Sequence, residues 1–136
     1  MDSDEVVREL FAAFGRRDAP AALRYCDEQI EFWLQATAER AGRQEPYRGH
    51  EGIKQYVEDV ARIWDELEVQ PGELRVAGAG VVAFGVAHGR IGEELLTLPV
   101  IWVFRVRNEK VVFARAVRSV GEAKRELHGQ ARRKPA

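Results

Sequence analysis

The hydrophobic pattern of the chain is densest over residues 95–106, where β-branched and aromatic side chains occupy both alternating faces. The even positions hold Leu96, Leu98, Val100, Trp102 and Phe104, and the odd positions include Ile101 and Val103. A half-exposed strand alternates apolar with polar residues, so this stretch predicts a central strand that is covered on both sides. Pro99 has no backbone N–H to donate, and we expect a bulge or a locally unpaired edge at that position.

Ahead of this strand, apolar residues recur at helical spacing. One stripe covers residues 6–14 and another covers residues 53–67, and such spacing places them on one face of a helix. Between the two stripes, Asp18 is a candidate N-cap for a short helix that runs to Cys26. Pro71-Gly72 is expected to end the helical part of the chain. The pattern therefore predicts three helices in the N-terminal half.

Most of the remaining pattern is that of strands. Alternation predicts strands over residues 30–34, 74–77, 81–91, 95–106 and 110–118, with an irregular connection over residues 36–49. Ser119 and Glu122 form a candidate capping box for a short final helix that ends at Gly129. Helices followed by consecutive strands are typical of an α+β domain. We predict one domain over residues 1–129 and a disordered basic tail over residues 130–136.

Composition narrows the classes of function. The chain has 136 residues, of which 32% are charged and 46% hydrophobic, and its net charge is -1. This balance gives no electrostatic reason to expect a nucleic acid or an anionic membrane as partner. No apolar run reaches the ~18 residues that span a bilayer. Cys26 is the only cysteine, so no internal disulfide is possible, and we expect a cytoplasmic protein.

Three segments of the chain resemble a known superfamily. They are Phe11-x-x-Phe14 followed by Arg17-Asp18, the run Tyr-Arg-Gly-His-Glu-Gly-Ile at residues 47–53, and the run Val-Ile-Trp-Val-Phe-Arg-Val at residues 100–106. Together with the order of helices and strands, they resemble the nuclear-transport-factor-2-like superfamily and, within it, the SnoaL-like group. The resemblance implies a cone-shaped, curved antiparallel sheet wrapped around three N-terminal helices, a cystatin-like α+β roll. It also implies a cavity inside the cone and, often, a dimer formed through the outer face of the sheet.

If the even face of the central strand looks into the cone, the neighbouring elements complete an apolar chamber with few polar groups. Small-molecule sites usually have this composition. The predicted lining consists of Leu10, Phe14, Tyr25, Phe32, Leu34, Tyr56, Phe84, Val86, Leu98, Val100, Trp102, Ala116 and Arg118. By the resemblance, the expected ligand is an apolar polyketide-, terpenoid- or steroid-like molecule. The alternative is that these side chains simply fill the core.

The catalytic groups of the superfamily have no clear counterparts in this chain. Ketosteroid isomerases use a tyrosine in the first helix and two aspartates in strands, and the matching positions look like Leu10, Leu34 and Trp102. None of these side chains takes up a proton or stabilises an enolate. The Asp-Arg-Asp set of epoxide hydrolases and the acidic residue of polyketide cyclases also find no match. We therefore expect no ketosteroid isomerase activity.

His88 is the remaining candidate for acid–base chemistry. It shares parity along its strand with the bulky Phe84 and Val86, and bulky residues are expected to line the cone. Histidine titrates near neutral pH, and Glu94 across the adjacent turn is placed to orient its ring. His88 and Glu94 are therefore the predicted catalytic pair, and the alternative for His88 is a buried ring bonded to backbone or to a tyrosine. Arg118 is predicted to bind a ligand carboxylate or else to form a surface ion pair.

Two functions of different classes remain open. The first is a cofactor-free enzyme that acts on an apolar substrate by acid–base chemistry. The second is a non-catalytic domain that binds an apolar ligand. The three histidines lie far apart in the sequence and lack a ligand spacing with acids, so we expect no metal ion and no cofactor.

The outer face of the sheet predicts self-association. Ile101, Val103, Phe113 and Val117 are expected to point away from the cone, beside the small residues Ala83, Gly85 and Ala87. A contiguous apolar patch of this kind is rarely exposed on a monomer. We therefore expect a homodimer that buries this patch.

Overall fold

The computed structural model describes residues 1–117 and 119–132, with side chains described as far as residue 127. Its helices are α1 (Ser3–Gly15), α2 (Ala19–Leu23), α3 (Gln35–Arg40), α4 (Gly49–Ile63) and α5 (Val120–Arg132). Its strands are β1 (Cys26–Trp33), β2 (Tyr47–Arg48), β3 (Glu66–Ala77), β4 (Gly80–Ile91), β5 (Glu94–Arg107) and β6 (Lys110–Val117). This arrangement confirms the predicted α+β class.

Two of the predicted helices end earlier than their apolar stripes. Asp18 caps α2 by accepting a 3.1 Å hydrogen bond from the Ala21 backbone N–H. Cys26, predicted to be helical, is instead the first residue of β1. Trp64 has an extended backbone with ψ of 130°, and Leu67 already belongs to β3. Because Trp64 and Leu67 pack on the same core as α4, the apolar stripe continues after the helix has ended.

Other boundaries also differ from the prediction. Pro71-Gly72 lies inside β3, where the register with β4 shifts between Pro71 and Leu74. Residues 36–49, predicted as irregular, contain most of α3 and the short β2, so four helices rather than three lie in the fully described stretch before β3. The last helix runs past Gly129 to Arg132, and residues 133–136 of the predicted tail lie outside the described residues. None of the helices described is long and apolar enough to cross a membrane.

The strands form one curved, open sheet in the order β2-β1-β6-β5-β4-β3. Neighbouring strands are antiparallel except β1 and β6, which are parallel. The β4–β5 register is continuous through Pro99, which pairs with Val86. Among the described residues, the β6 pairing of β5 begins at Ile101, so Pro99 lies in the predicted locally unpaired edge and not in a bulge. The register shift of β5 falls instead between Arg105 and Val106.

The central strand β5 is covered on both faces only in its second half; in its first half the prediction is wrong, because Leu95 is 77% exposed and Thr97 and Pro99 are exposed on the outer face. Trp102 is buried in the inner core together with side chains of α1 and α4. On the opposite face, Val103 is 1% exposed and packs with Phe113, Val117 and Ala123. Since Ala123 belongs to α5, the chain's own C-terminal helix covers much of the outer apolar patch. The expectation that this patch is left open for a partner is therefore wrong.

Candidate ligand-binding cavity

A cavity of about 450 Å³ lies between α3, the end of α4 and the inner face of the sheet. Its apolar walls are formed by Leu34, Ala36, Trp64, Leu67, Val69, Ala87, Gly89, Leu96, Leu98, Pro99, Val100, Trp102, Ala116 and Val117. The polar lining consists of Gln35, Thr37, Glu39, Arg40 and Tyr56. Glu39 and Arg40 are exposed and mark the rim, whereas Thr37 and Tyr56 are buried.

Small residues of β4 create the space for this cavity. The register pairs Ala83 with Trp102, which places the odd positions of β4 on the inner face. A Cβ atom on Gly89 would overlap the Trp64 ring, and one on Gly85 would lie 3.1 Å from the Trp102 ring. The two indole rings therefore lie across positions where β4 has no side chain.

His88, Phe84 and Val86 lie on the outer face of β4, so their predicted place in the cavity lining is wrong. The size of the β4 residues is a poor guide to their facing, because the inner positions carry small residues that accommodate the tryptophan rings. His88 is exposed, with its Nδ1 3.2 Å from Thr97 Oγ1, and Glu94 is exposed beside the β4–β5 turn. Neither residue lines the cavity, which removes the geometric basis of the predicted catalytic pair. The described residues contain no group of three or more His, Cys, Asp or Glu arranged to hold a metal ion.

Some of the other predicted lining residues border the cavity and some do not. Those that border the cavity are Leu34, Tyr56, Leu98, Val100, Trp102 and Ala116, and their contact with a ligand stays a prediction. Leu10 and Phe32 are buried in the filled core instead, and Phe14 borders a separate pocket of about 40 Å³. Tyr25 packs against the core without lining the cavity. Arg118 lies outside the described residues.

The wall formed by α3, by Trp64 at the end of α4 and by the start of β3 is absent from the sequence-based prediction. It contributes Thr37, Trp64, Leu67 and Val69 to the cavity. With only six residues, α3 is too short to show a periodic stripe. Trp64 and Leu67 continue the apolar stripe of α4, so the sequence pattern does not indicate that the helix ends before them and that they line a cavity. The alternation of Leu67 with Val69 is the one pattern that indicates a strand there.

The polar atoms inside the cavity form a short hydrogen-bonded chain. The Trp64 indole Nε1–H donates to the Thr37 hydroxyl oxygen at 3.1 Å, and the Thr37 hydroxyl bonds to the Tyr56 phenol. An indole is only a donor, so the Thr37 oxygen accepts from it, and the hydroxyl keeps its own proton and a second lone pair for other bonds. Burial raises the pKa of Tyr56 and the bond with Thr37 offsets only part of that rise. Tyr56 is therefore a neutral phenol at physiological pH.

A second polar cluster fixes the helix that carries Tyr56. The carboxylate of Asp59, 3% exposed, accepts hydrogen bonds from Tyr47 Oη at 2.7 Å, Gln55 Nε2 at 2.9 Å and Arg62 Nη2 at 3.1 Å. Burial raises the pKa of this carboxyl, but the three donors outweigh burial and hold the pKa below its ordinary value. The Tyr47 ring meets the Tyr56 ring edge-on, with centroids 5.5 Å apart. The cluster lies outside the cavity lining and supports Tyr56 from behind.

The rim carries a guanidinium and a carboxylate, both from α3. The Arg40 guanidinium lies 4.9 Å from the centroid of the Trp64 ring, and its Nη1 donates to the Ala36 carbonyl at 2.9 Å. Glu39 Oε1 accepts from Gln35 Nε2 at 2.6 Å. Among the residues described, no carboxylate forms an ion pair with Arg40.

An open, curved sheet wrapped around N-terminal helices, with a cavity between them, defines the nuclear-transport-factor-2-like class of protein. An NTF2-like protein of unknown function from Burkholderia pseudomallei superposes with a TM-score of 0.77 at 23% identity, covering 92% of this chain and 97% of that one. TerC, co-crystallised with polyporic acid, gives 0.76 at 21% identity, covering 92% and 96%. An LEH-like epoxide hydrolase from M. tuberculosis gives 0.70 at 15% identity, covering 95% and 92%. These likenesses show the fold.

The sequence itself assigns the family. Residues 7–114 match the model of the SnoaL-like domain, so the chain belongs to the SnoaL-like domain family, and the predicted resemblance is confirmed. Proteins of this fold family often bind small molecules, and they include isomerases and cyclases. Among curated proteins, no significant sequence match was found.

Proposed function

We propose that this protein binds an apolar small molecule in the cavity, without a cofactor. The observation that carries the proposal is a space of about 450 Å³ with mostly apolar walls. Ligand sites in proteins are mostly apolar, with a few placed polar groups that fix orientation. A protein of similar fold supports the proposal, because TerC was co-crystallised with an organic small molecule, polyporic acid.

Tyr56 supplies the contact that orients the ligand. Its phenol bonds with Thr37 and lines the cavity. A phenol group both donates and accepts hydrogen bonds, so a ligand oxygen that accepts the Tyr56 O–H is favoured by about 0.5–1.5 kcal/mol. The expected ligand is an apolar ring system that carries a carbonyl or ether oxygen.

Non-catalytic binding fits the cavity better than acid–base catalysis. His88, the predicted catalytic residue, lies on the outer face of β4. Tyr56 has a raised pKa, so near neutral pH it donates hydrogen bonds and is a poor base. Glu39 is exposed at the rim, away from the apolar interior. We infer a binding domain in which the ligand leaves unchanged.

The proposal is tested by direct binding of 2-acetylnaphthalene, which has an apolar ring system and one acceptor oxygen. Trp64 and Trp102 line the cavity, so their fluorescence is expected to change saturably, and calorimetry gives the Kd. Ala87→Phe fills the cavity from β4 and is expected to abolish binding. Val86→Phe, on the outer face of the same strand, is the matched control and should bind as the wild type does. Binding that survives Ala87→Phe would place the probe elsewhere and contradict the proposal.

Tyr56→Phe separates the polar contact from apolar burial. It is expected to weaken binding of 2-acetylnaphthalene by about five- to tenfold, the value of one hydrogen bond. Binding of 2-ethylnaphthalene, which lacks the acceptor oxygen, should not change. Tyr25→Phe removes a hydroxyl that does not line the cavity and serves as the control. Equal loss for both probes would mean that Tyr56 acts only through packing.

A homodimer through the outer sheet face stays a proposal, now on other residues. Phe84 and Val86 are half-buried on that face and belong to neither apolar cluster of the described residues. We therefore expect Phe84 and Val86 to form the dimer contact, instead of the outer apolar patch that α5 covers. Sedimentation at micromolar concentration tests this, and a purely monomeric species would rule it out. Cytoplasmic location also stays a prediction.

A further inference from the structure

We propose that the ligand carries a carboxylate that pairs with Arg40 at the rim of the cavity. The inference rests on the ligand-binding function proposed above and narrows the class of ligand. The ligand is then an amphipathic organic acid, with its apolar body inside the cavity and its charge at the mouth.

Arg40 is held at the rim although its side chain is exposed. Its guanidinium lies over the Trp64 ring, 4.9 Å from the centroid, and Nη1 donates to the Ala36 carbonyl at 2.9 Å. Trp64 is itself fixed, because it is 2% exposed, bonded to Thr37 and packed closely on Gly89. A guanidinium has five N–H donors, so most of those on Arg40 remain available to a ligand.

Among the described residues, no carboxylate forms an ion pair with Arg40. Elsewhere on the surface, Arg62 pairs with Asp59 at 3.1 Å and Arg90 pairs with Asp65 at 3.7 Å. Arg40 differs from these arginines in two ways, since it lines the cavity and has no carboxylate partner. Arg40 therefore lies at the rim, where the end of a ligand bound between the apolar walls would emerge from the cavity.

Glu39 is a negatively charged residue in the same lining, and its removal is expected to change anion binding in the opposite direction to removal of Arg40. It is exposed, and its Oε1 accepts from Gln35 and not from Arg40. Exposed charges are screened by salt, so Glu39 is expected to weaken the binding of an anion only slightly. Removal of Glu39 and removal of Arg40 should therefore shift anion binding in opposite directions.

A carboxylate at the rim suits both the charge and the geometry of the site. Carboxylate and guanidinium groups match as planar, bidentate partners. At the rim the ion pair keeps part of its hydration, so it avoids most of the desolvation cost of a buried pair. Such a rim charge sets specificity and orientation. Arg40 is thus expected to select an ionised acid over a neutral molecule of the same shape.

The test uses 2-naphthoic acid and 2-naphthamide, which share a ring system and a carbonyl group but differ in charge at neutral pH. The wild type is expected to bind the acid about tenfold more tightly than the amide. Arg40→Gln should bring the ratio of the two Kd values close to one while the Kd of the amide changes by less than about twofold. Glu39→Gln should increase the preference for the acid. Arg43→Gln is the matched control, because Arg43 stacks on Tyr47 at 4.0 Å but does not line the cavity.

The outcomes distinguish a failure of the carboxylate proposal from a failure of the ligand-binding proposal. Equal binding of acid and amide by the wild type, or a preference that survives Arg40→Gln, overturns the carboxylate proposal and leaves the ligand-binding function intact. Failure of both probes to bind the wild type overturns both proposals. Raising the salt from about 50 to about 500 mM should weaken binding of the acid and leave the amide unchanged. A salt effect of equal size on both probes counts against the ion pair.

Discussion

The interior of this protein has a filled part and an open part, and aromatic rings build both. In the filled part, the rings of Phe14 and Phe32 contact each other at a tilted angle with centroids 5.4 Å apart, and the Tyr56 ring packs on both at 4.8 to 5.3 Å while also bordering the cavity. In the open part, Trp64 and Trp102 pack against the inner glycines of β4 and line the cavity. The size of the facing residues thus decides whether aromatic side chains close a core or border a space.

The same substitution in the two parts gives the sharpest contrast. Leu10 is 1% exposed in the filled part, and Leu10→Ala is expected to lower the free energy of unfolding by about 2–5 kcal/mol. Leu98 is half-buried in the cavity wall, so Leu98→Ala should cost about 1 kcal/mol or less and mainly weaken binding of 2-acetylnaphthalene. Urea unfolding followed by circular dichroism measures both. Equal losses would mean that the cavity is collapsed in solution.

A side chain added on β4 tests the open part directly. Gly89→Val places a Cβ atom 2.4 Å from the Trp64 ring, and the forced shift is expected to cost about 1–3 kcal/mol and to block the cavity. Thermal and urea unfolding report the first effect, and probe titration reports the second. Gly15→Ala is the control, since nothing lies within 4 Å of its added Cβ and its stability should change by less than about 1 kcal/mol. Unchanged stability of the valine variant would show that Trp64 is free to move away.

The smallest effect is expected behind the cavity, at the Asp59 cluster. Tyr47→Phe removes the 2.7 Å bond to Asp59 and should lower stability by about 1 kcal/mol at neutral pH. The lowered pKa of Asp59 stabilises the folded state above the ordinary aspartate pKa, and that stability is lost as the pH falls through this value towards the folded-state pKa. Urea unfolding at several acidic pH values should therefore show a weaker dependence on pH in the variant. Tyr25→Phe should keep the wild-type profile, and a variant profile identical to the wild type would exclude Tyr47 from the cluster's titration.

The sequence predicts the facing of β5 but not that of β4, for a physical reason. In the second half of β5, large apolar residues occupy both faces, so both faces are buried there whatever packs on them. On β4, small Gly85 and Gly89 alternate with larger Phe84 and His88, and size alone does not say which set faces inward. The answer depends on Trp64, whose position is set by long-range packing that no local pattern contains.

The local sequence pattern also did not predict where several helices end or where α5 packs. Ser119 caps the start of α5 as predicted, since the Glu122 N–H donates to Ser119 Oγ at 3.1 Å, which is one of the two bonds of a capping box. Where α5 then packs is not readable from its own residues, and its contact with Val103 and Phe113 changes the expected surface of the molecule. The superfamily, by contrast, was predicted from short motifs and the order of the elements, and the match of residues 7–114 to the SnoaL-like domain confirms it.

The irregularity in β3 bears on how the molecule resists aggregation. This strand forms an open edge of the sheet, and such an edge offers unpaired backbone groups to a strand of another molecule. Pro71 contributes no N–H there, and the register breaks between Pro71 and Leu74. Charged side chains are exposed along the same strand: Glu66, Glu68, Glu73 and Arg75. These devices let the protein keep a long edge strand beside its cavity without joining its neighbours into a continuous sheet.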